Sequence, residues 1–382
     1  MKSTDYQKDF AELRNNLERL AESHKDIIAE RKERLVKAEN YQEPDRVPVV
    51  CRHAIDWWLQ EKKISWTSFI HDAGLQIREG IKLGIYNFKE FGADIDLPSG
   101  CESGINVGTE VVESSVLGCR IKYTEDDYPW LDLTWTPISS PQEIKDYLVP
   151  EEAELEHLGV MPQIKKLVTD DHGYGFKING ITNGEGPFEM CCFAYGTNNF
   201  LLLLKEDSFL AKELLEKMTQ LRIRQGKIFK RWFDRYNVTV GENNIDMISP
   251  NQFAEFVFPY DRKIFEAFPE DIPCWHTDAC ADRILELIPE YKIKFFEVSD
   301  TTNLKLAKEK LSPHRIVLTG NLPQRLFVVG TKEEMEREVI KCIEAAASGG
   351  GYILTPNSLM RDAKKENMKA MIDAVKKYGK YL

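Results

Sequence analysis

Short apolar runs alternate with amphipathic helical segments through the C-terminal half of the chain. From Phe176 onward there are six such runs: "FKINGITNG", "NVTVGEN", "IPCWHTD", "IKFFEVSD", "RIVLTGN" and "GGGYILTPN". This alternation is typical of a parallel sheet whose strands are joined by helices. With two more strands predicted near Val49 and Ile95, it favours a single closed (β/α)8 barrel, an α/β fold, over residues 44–382. An open doubly wound sheet is the alternative, but no G-x-G-x-x-G follows a strand.

Two segments depart from the barrel pattern. Residues 1–43 predict an N-terminal helical extension, because the chain from about Asp9 to Lys37 has apolar residues at helical spacing, namely Phe10, Leu13, Leu17 and Leu20. Pro44 and Pro48 then end the helix. The stretch "GTEVVESSVLGCRIKYT" lies between two turn-rich stretches and predicts a hairpin insertion.

The run "IPCWHTDACADRILEL" contains a strand followed by a predicted helix. Cys274, His276 and Asp278 are two residues apart, so in an extended strand their side chains share one face. The helix is predicted from an apolar stripe, Ala281, Ile284, Leu285 and Ile288, and either Thr277 or Asp278 is expected to cap its first turn. His276 therefore lies where a strand ends, which in a barrel is the catalytic face.

Composition and charge exclude several classes of protein. The net charge of −11 and the lack of a long basic block argue against nucleic-acid binding. The longest apolar runs are too short to span a bilayer, and the first residues do not resemble a secretory signal, so we expect a cytoplasmic protein that does not associate with membranes. The eight cysteines show no paired C-x-x-C arrangement, which favours free thiols.

Eight strings, in order, resemble the uroporphyrinogen decarboxylase superfamily: "PDRVPV", "FGADI", "NGEGPFEMCCFAYG", "ISPNQFAEFVFPY", "HTDACADRILELI", "LTGNLPQ", "GTKEEMEREV" and "GGGYILTPNS". The resemblance runs from about Pro44 to Gly379 and implies a single (β/α)8 barrel. Members of that family are either porphyrinogen decarboxylases or methyltransferases that work with a corrinoid protein, many of them zinc-dependent.

Departures from the family's motifs indicate which branch is the better match. The decarboxylases have M-R-Q-A-G-R-Y, whose two arginines bind propionates, but this chain has "CRHAIDW", which keeps Arg52 and has Asp56 in place of the second arginine. A carboxylate there would repel an acidic porphyrinogen. Thiol-methylating members have H-x-C and a later cysteine, whereas here Asp278 follows His276 and Asn357 lies near the second position. Nitrogen and oxygen ligands suit an oxygen-bound methyl group better than a thiol.

We therefore expect a zinc site centred on His276. Glu242, at the end of the preceding strand, is the second expected ligand, with a solvated loop acid as its alternative. Asp278 is expected either to bind the metal or to cap the helix, and Cys274 is a reserve ligand whose alternative role is buried packing. His276 itself could instead be a hydrogen-bonded core residue.

Other polar and aromatic residues at predicted strand ends complete the expected site. Asp94, Tyr195 and Asp300 are the candidate catalytic residues, with Asp94 or Tyr195 supplying a proton. Four residues are candidates for substrate binding: Arg52, Asp96, Asn321 and Trp57. Each has a structural alternative: the aspartates and Asn321 could hold loops together, and Trp57 could be core.

The predicted reaction is methyl transfer from an O-methylated, methoxylated aromatic donor to cob(I)alamin. No corrinoid-binding module is recognisable in the chain, so the cobalamin is expected on a partner corrinoid protein. A decarboxylase acting on a different acid and a non-catalytic barrel subunit are the alternatives, and homodimer formation is left open.

Overall fold

The computed structural model describes residues 3–51, 55–95, 97–98, 101–125, 127–180, 184–357 and 361–381. Helices make up much of these ranges: α1 (Ser3–Ser23), α2 (Lys25–Glu39), α3 (Ile55–Lys62), α4 (Trp66–His71), α5 (Ala73–Tyr86), α6 (Thr109–Val116), α7 (Pro141–Asp146), α8 (Glu152–Leu155), α9 (Met161–Gly173), α10 (Pro187–Tyr195), α11 (Thr197–Glu206), α12 (Ser208–Trp232), α13 (Pro250–Phe256), α14 (Phe258–Ala267), α15 (Leu304–Leu311), α16 (Gln324–Val328), α17 (Lys332–Ala346) and α18 (Lys365–Tyr378). A π-helix at Asn87–Phe91 extends α5. Short 3-10 helices lie at Ile245–Met247, Ile288–Tyr291 and Ser312–His314.

Apart from one antiparallel hairpin, the strands form a closed ring of parallel segments. They are β1 (Glu102–Gly104), β2 (Ile121–Lys122), β3 (Trp130–Leu131), β4 (Lys177–Asn179), β5 (Thr239–Gly241), β6 (Cys274–His276), β7 (Phe295–Val298), β8 (Val317–Leu322) and β9 (Tyr352–Pro356). The order β5-β6-β7-β8-β9 is continuous, and β1 pairs with β4. Parallel bridges from Asn179 to Arg235 and from Glu185 to Gly241 join β4 to β5.

The segment around Val49 closes the ring. Val49 bridges Leu354 of β9 in parallel, and its carbonyl oxygen accepts the backbone N–H of Asp94 at 2.7 Å, just ahead of β1. Counting this segment and leaving out the β2-β3 hairpin, eight parallel segments surround one interior. The predicted (β/α)8 barrel is confirmed.

The N-terminal helices seal one end of the barrel. Tyr6 and Phe10 of α1 are buried against Phe176. Ala38 of α2 packs on Val317 and Ile353, so that α2 covers the end of the barrel where the strands begin. The mouth, which is formed by the strands' carboxyl ends, is therefore the opposite end.

The predicted hairpin insertion is only partly right, because the predicted stretch contains one strand, β2, and the partner strand β3 lies beyond it. β2 pairs antiparallel with β3, with Ile121 opposite Leu131. The valines of "TEVVESSV" suggested a strand, but Thr109–Val116 is helix α6, because Val111 and Val112 are buried in the core together with Val116 one turn further on. Burial of these valines within a helix outweighed their β-propensity.

The predicted helix after Asp278 is wrong. Residues 282–287 form turns, followed by the 3-10 helix Ile288–Tyr291, although Ala281, Leu285 and Ile288 are buried as expected. Pro289 explains the difference, because it has no N–H to donate to the carbonyl of Leu285 and so interrupts an α-helix.

Within the described ranges, no helix combines the length and apolar character needed to cross a membrane. All eight cysteines are free thiols, as predicted.

Candidate functional site

His276 is the last residue of β6 and points into the barrel. The ring of its neighbour Trp275 packs outward against Phe253 and Tyr291, with centroid distances of 6.2 and 5.9 Å. Because side chains alternate along a strand, His276 faces the interior. Glu297 of β7 is paired in register with His276 and faces the same way, and it is 4% exposed.

Two carboxylates flank the imidazole ring of His276. Its Nδ1 lies 3.5 Å from Oε2 of Glu297, and its Nε2 lies 3.7 Å from Oδ1 of Asp278. Burial alone would lower the pKa of His276, but Asp278 and Glu297 together raise it to about 10. At neutral pH the ring is therefore an imidazolium, with a proton available on the side that faces Asp278.

A chain of hydrogen bonds positions Asp278. Its backbone N–H donates to Oδ1 of Asn243 at 2.9 Å, and the N–H of Asn243 donates to Oε2 of Glu189 at 3.1 Å. The expected capping role of Asp278 is wrong, since no α-helix begins there, and Thr277 Oγ1 accepts the N–H of Ala279 at 3.0 Å. Asp278 is exposed and its carboxylate faces the histidine.

Polar side chains line the interior beside His276. Thr319 lies next to Glu297 in register, and Thr355 lies two residues beyond the inward-facing Ile353. Oγ1 of Thr319, Oγ1 of Thr355 and Oδ1 of Asn357 are buried and form no hydrogen bond within the described part of the chain. Buried polar atoms are nearly always paired, so this lining suits a polar ligand.

Asp300 lies at the same rim. Nδ2 of Asn357 donates to Oδ1 of Asp300 at 3.4 Å. The surrounding chain partly desolvates this carboxyl group, which raises its pKa, and the charge of Asp278 adds to the shift. Asp300 therefore lies close enough to Asp278 to feel its charge, and its catalytic role stays a prediction.

Glu242 is neither a metal ligand nor a solvated loop acid. It is completely buried, and its two carboxylate oxygens accept the backbone N–H groups of Phe188 at 3.0 Å and Glu189 at 2.8 Å, in the first turn of α10. Gly186 leaves room for this contact, since a Cβ there would lie 2.1 Å from Oε1 of Glu242. Glu242 thus caps the N-terminus of α10.

Asp261 is buried beside Glu242. It accepts the indole N–H of Trp275 at 3.0 Å and the hydroxyl of Tyr291 at 2.9 Å. Burial raises the pKa of Asp261 to about 7, and burial together with the charges of Asp261 and Glu189 raises the pKa of Glu242 well above its usual value. The pair therefore retains a proton at neutral pH.

Glu242→Gln should make stability less dependent on pH. The folded protein holds a proton at Glu242 that the unfolded chain releases above about pH 4.3. The contribution of Glu242 to the stability of the wild type is therefore greatest below that pH and falls as the pH rises. Glutamine can accept one of the two N–H bonds through its amide oxygen, and it does not titrate. We expect urea unfolding between about pH 5 and pH 8 to show a shallower decline of the free energy of unfolding in the variant.

Glu255→Gln, at an acid that is 49% exposed, is the matched control for Glu242→Gln. If the free energy of unfolding changed equally with pH in Glu242→Gln and the wild type, the assignment would be contradicted.

Asp94 is a structural residue, contrary to the prediction that it supplies a proton. It is completely buried, and its oxygens accept hydrogen bonds from Arg34 and Arg46, each at 2.6 Å, and from the N–H of Val49 at 2.9 Å. It lies before β1, at the end of the barrel that α2 covers. Both oxygens are therefore engaged far from the mouth.

Tyr195 and Trp57 also lie away from the mouth. Tyr195 is the last residue of α10, roughly 10 Å along the helix from the turn that contacts Glu242. Trp57 is 4% exposed and packs with Trp58, Tyr86 and Phe91, with ring centroids 5.6 to 6.3 Å apart. The predicted catalytic role of Tyr195 and substrate contact of Trp57 are not supported by these positions.

Asn321 holds the loop after β7 in place, which is the structural alternative given for this residue. Its Nδ2 donates to the carbonyl oxygens of Ser299 at 3.0 Å and Thr302 at 3.4 Å. Its Oδ1 lies 3.7 Å from the Sγ of Cys342. Two further predicted substrate residues, Arg52 and Asp96, lie outside the described residues.

The predicted zinc ligands do not come together as a set. Cys274 shares the inward face of His276 but lies two residues deeper, and its Sγ lies 3.9 Å from the backbone oxygen of Trp275. Among the residues that the structure describes, no group of three histidine, cysteine or acidic side chains could hold a metal ion. His276 and Asp278 supply two donors, whereas protein zinc sites use three or four protein ligands, so the described residues alone do not fit zinc.

The sequence pattern missed Glu297, Glu189 and Asp261. One signal was available for Glu297, because it is the single acid between apolar residues in "IKFFEV". An acid within a buried parallel strand is costly unless it has a partner, which marks it as a functional candidate.

Comparisons with known proteins agree with the fold. The family model "Uroporphyrinogen decarboxylase (URO-D)" matches residues 30–378. Two curated relatives are called uroporphyrinogen decarboxylase. The one from Campylobacter concisus is 27% identical over 48% of this chain and 54% of that protein, and the one from Christiangramia forsetii is 22% identical over 65% and 72%. This chain thus spans about half the length of the first.

A solved structure shares the architecture. A methyltransferase from Methanosarcina mazei superposes with a TM-score of 0.69 at 19% identity, covering 91% of this chain and 98% of the other. That likeness shows a common fold. Because the family model matches most of the sequence, the chain belongs to the uroporphyrinogen decarboxylase family.

Proposed function

We propose that the protein transfers a methyl group from an O-methylated donor, a methoxylated aromatic compound, to cob(I)alamin carried by a separate corrinoid protein. The observation that carries the proposal is His276, held as an imidazolium between Asp278 and Glu297 at the mouth of the barrel. An ether oxygen leaves poorly as an anion, so this reaction needs a proton donor at the oxygen.

The residues around His276 suit that task. Cobalamin supplies the cobalt nucleophile when it is bound. The methyl group would pass to that nucleophile, the electron pair of the broken carbon–oxygen bond would stay on the oxygen, and Nε2 of His276 would donate its proton to that oxygen. Glu297 stabilises the imidazolium from the other side, at 3.5 Å from Nδ1. Asp300, whose pKa is raised, can return the proton.

The polar lining supports an oxygenated substrate. Thr319, Thr355 and Asn357 offer one acceptor or hydroxyl group each beside the histidine. A phenolic or ether oxygen can pair with these groups, whereas a thioether sulfur is a weak acceptor. This difference favours an oxygen-linked methyl group over a sulfur-linked one.

Decarboxylation of an acidic porphyrinogen is the second candidate, because the curated relatives are called uroporphyrinogen decarboxylase. Asp56 argues against it. It is 2% exposed on α3, where the family's decarboxylase motif has an arginine. A buried carboxylate at that position cannot bind a propionate.

Zinc remains part of the proposal only if a further ligand joins His276 and Asp278. Metal analysis of purified protein tests this: about one zinc per chain supports a completed site, and its loss in Asp278→Asn would assign the carboxylate to it.

A paired assay tests the proposed activity. The protein is mixed with chemically reduced cob(I)alamin and 2-methoxyphenol, and the visible spectrum reports methylation of the cobalt. A parallel sample receives uroporphyrinogen and is followed for carbon dioxide release. We expect methylation that depends on both protein and donor, without release of carbon dioxide. Carbon dioxide release without methylation would favour the decarboxylase. The absence of both activities would favour a non-catalytic subunit.

A further inference from the structure

Four cations gather at the end of the barrel opposite the mouth: Arg31, Arg34, Arg46 and Lys376. Two of them are neutralised. Arg34 donates to Asp94 at 2.6 Å and to Asp45 at 2.7 Å, and Arg46 donates to Asp94 at 2.6 and 2.8 Å. Such paired, hydrogen-bonded contacts satisfy the charge of both arginines.

The other two cations, Arg31 and Lys376, form no ion pair within the described part of the chain. Nη1 of Arg31 donates to the carbonyl oxygen of Phe88 at 3.3 Å, and its guanidinium lies over the Phe88 ring at 4.2 Å. These contacts orient Arg31 but supply no negative charge. Lys376 is exposed in the last turn of α18, where the helix dipole stabilises a cation.

Arg31 and Lys376 converge on Gly92. A Cβ at Gly92 would lie 2.7 Å from Nζ of Lys376 and 3.7 Å from Nη2 of Arg31. Gly92 has a φ of +67° and follows the π-helix, so glycine keeps this point free of a side chain. Two donors of like charge therefore face the same small volume.

The pKa shifts of the two cations reflect both burial and their like-charged neighbours. Burial lowers the pKa of Arg31; Asp94 opposes that shift, and Arg46 and Arg34 add to it. Partial burial also lowers the pKa of Lys376, as do Arg46, Lys369 and Arg31, and Asp373 opposes that shift. Like charges this close repel each other unless an anion lies between them. The cluster is notable in a chain whose net charge is −11.

We propose that Arg31 and Lys376 bind a small phosphate-type dianion across Gly92. A phosphate offers several oxygens, so it can accept from the guanidinium and the ammonium together. Lys376 is exposed and Arg31 partly so, which leaves the site open to solvent. The site lies at the far end of the barrel, so it does not depend on the proposed methyl transfer.

Calorimetric titration of the whole protein in a phosphate-free buffer tests the site. Inorganic phosphate should bind saturably near one equivalent and raise the melting temperature. Arg31→Gln and Lys376→Gln should each weaken binding about tenfold or more. Lys377→Gln is the matched control, because that neighbouring lysine pairs with Glu336 at 2.9 Å, and its affinity should be unchanged.

Further titrations separate phosphate from other anions. Acetate should bind far more weakly than phosphate if the two cations act together. Succinate binding without phosphate binding would overturn the phosphate assignment in favour of dicarboxylates. The proposal fails if phosphate does not bind saturably to the wild type, or binds equally well to the Arg31→Gln, Lys376→Gln double variant. Circular dichroism of each variant confirms that it is folded.

Discussion

Replacing Asp94 with alanine should lower the free energy of unfolding by about 3–5 kcal/mol, because it leaves Arg34 and Arg46 buried without their shared carboxylate. The two arginines are 7% and 8% exposed, so water cannot take over the role of Asp94. The same change removes the acceptor for the N–H of Val49, in the segment that closes the barrel. Chemical denaturation monitored by circular dichroism measures the loss.

Asp45→Ala is the matched control for Asp94→Ala. Asp45 also binds Arg34, at 2.7 Å, but its side chain is 64% exposed. Because Asp45 is exposed and Arg34 keeps its contact with Asp94, this variant should lose about 1 kcal/mol or less. If Asp94→Ala were as stable as Asp45→Ala while losing catalytic activity, the structural role of Asp94 would be refuted and the predicted proton donor restored.

Replacing His276 with glutamine should lower the rate of cob(I)alamin methylation by about 10²- to 10⁴-fold, the usual contribution of a positioned proton donor. Glutamine keeps a hydrogen-bonding side chain between Asp278 and Glu297, but its amide is not acidic enough to donate a proton to the leaving oxygen. The rate is measured under conditions in which wild-type turnover has been demonstrated, so this prediction rests on the proposed function.

Cys274→Ala is the control for His276→Gln. Cys274 lies on the same inward face of β6, two residues deeper. If it packs rather than binds metal, the alanine variant should keep its rate within a few-fold of wild type. Glu297→Gln adds a second test: without that carboxylate the pKa of His276 should fall, so activity should decline at a lower pH than in the wild type. An unchanged rate in His276→Gln would remove the histidine from the mechanism.

The barrel could be predicted from the sequence because each strand and helix carries its own local pattern. Runs such as "RIVLTGN" are buried on both faces and are followed by helices with one apolar face, and that order alone indicates a parallel sheet. His276 was found for the same reason, since its position at a strand end is a local property. Pro289 was a local signal too, and giving it more weight would have removed the predicted helix after Asp278.

The wrong assignments concern acids whose role depends on distant partners. Asp94 binds arginines that are 60 and 48 residues away in the chain, and Glu242 binds amides 54 and 53 residues away. No spacing rule brings such residues together. The local sequence around an acid near a strand end is therefore the same whether the acid caps a helix or faces a substrate. Glu297 was missed because its importance comes from its register with His276 on the adjacent strand.

The packing of α2 against Val317 and Ile353 has a kinetic consequence. With that end blocked, a small molecule that reaches His276 must come in and go out past the strands' carboxyl ends, where a cobalamin-bearing partner would also have to dock. Under the proposed function, the two substrates then share one entrance. The methyl donor should bind before the partner, and the demethylated product should leave only after the partner dissociates, so steady-state kinetics should show a compulsory order of addition.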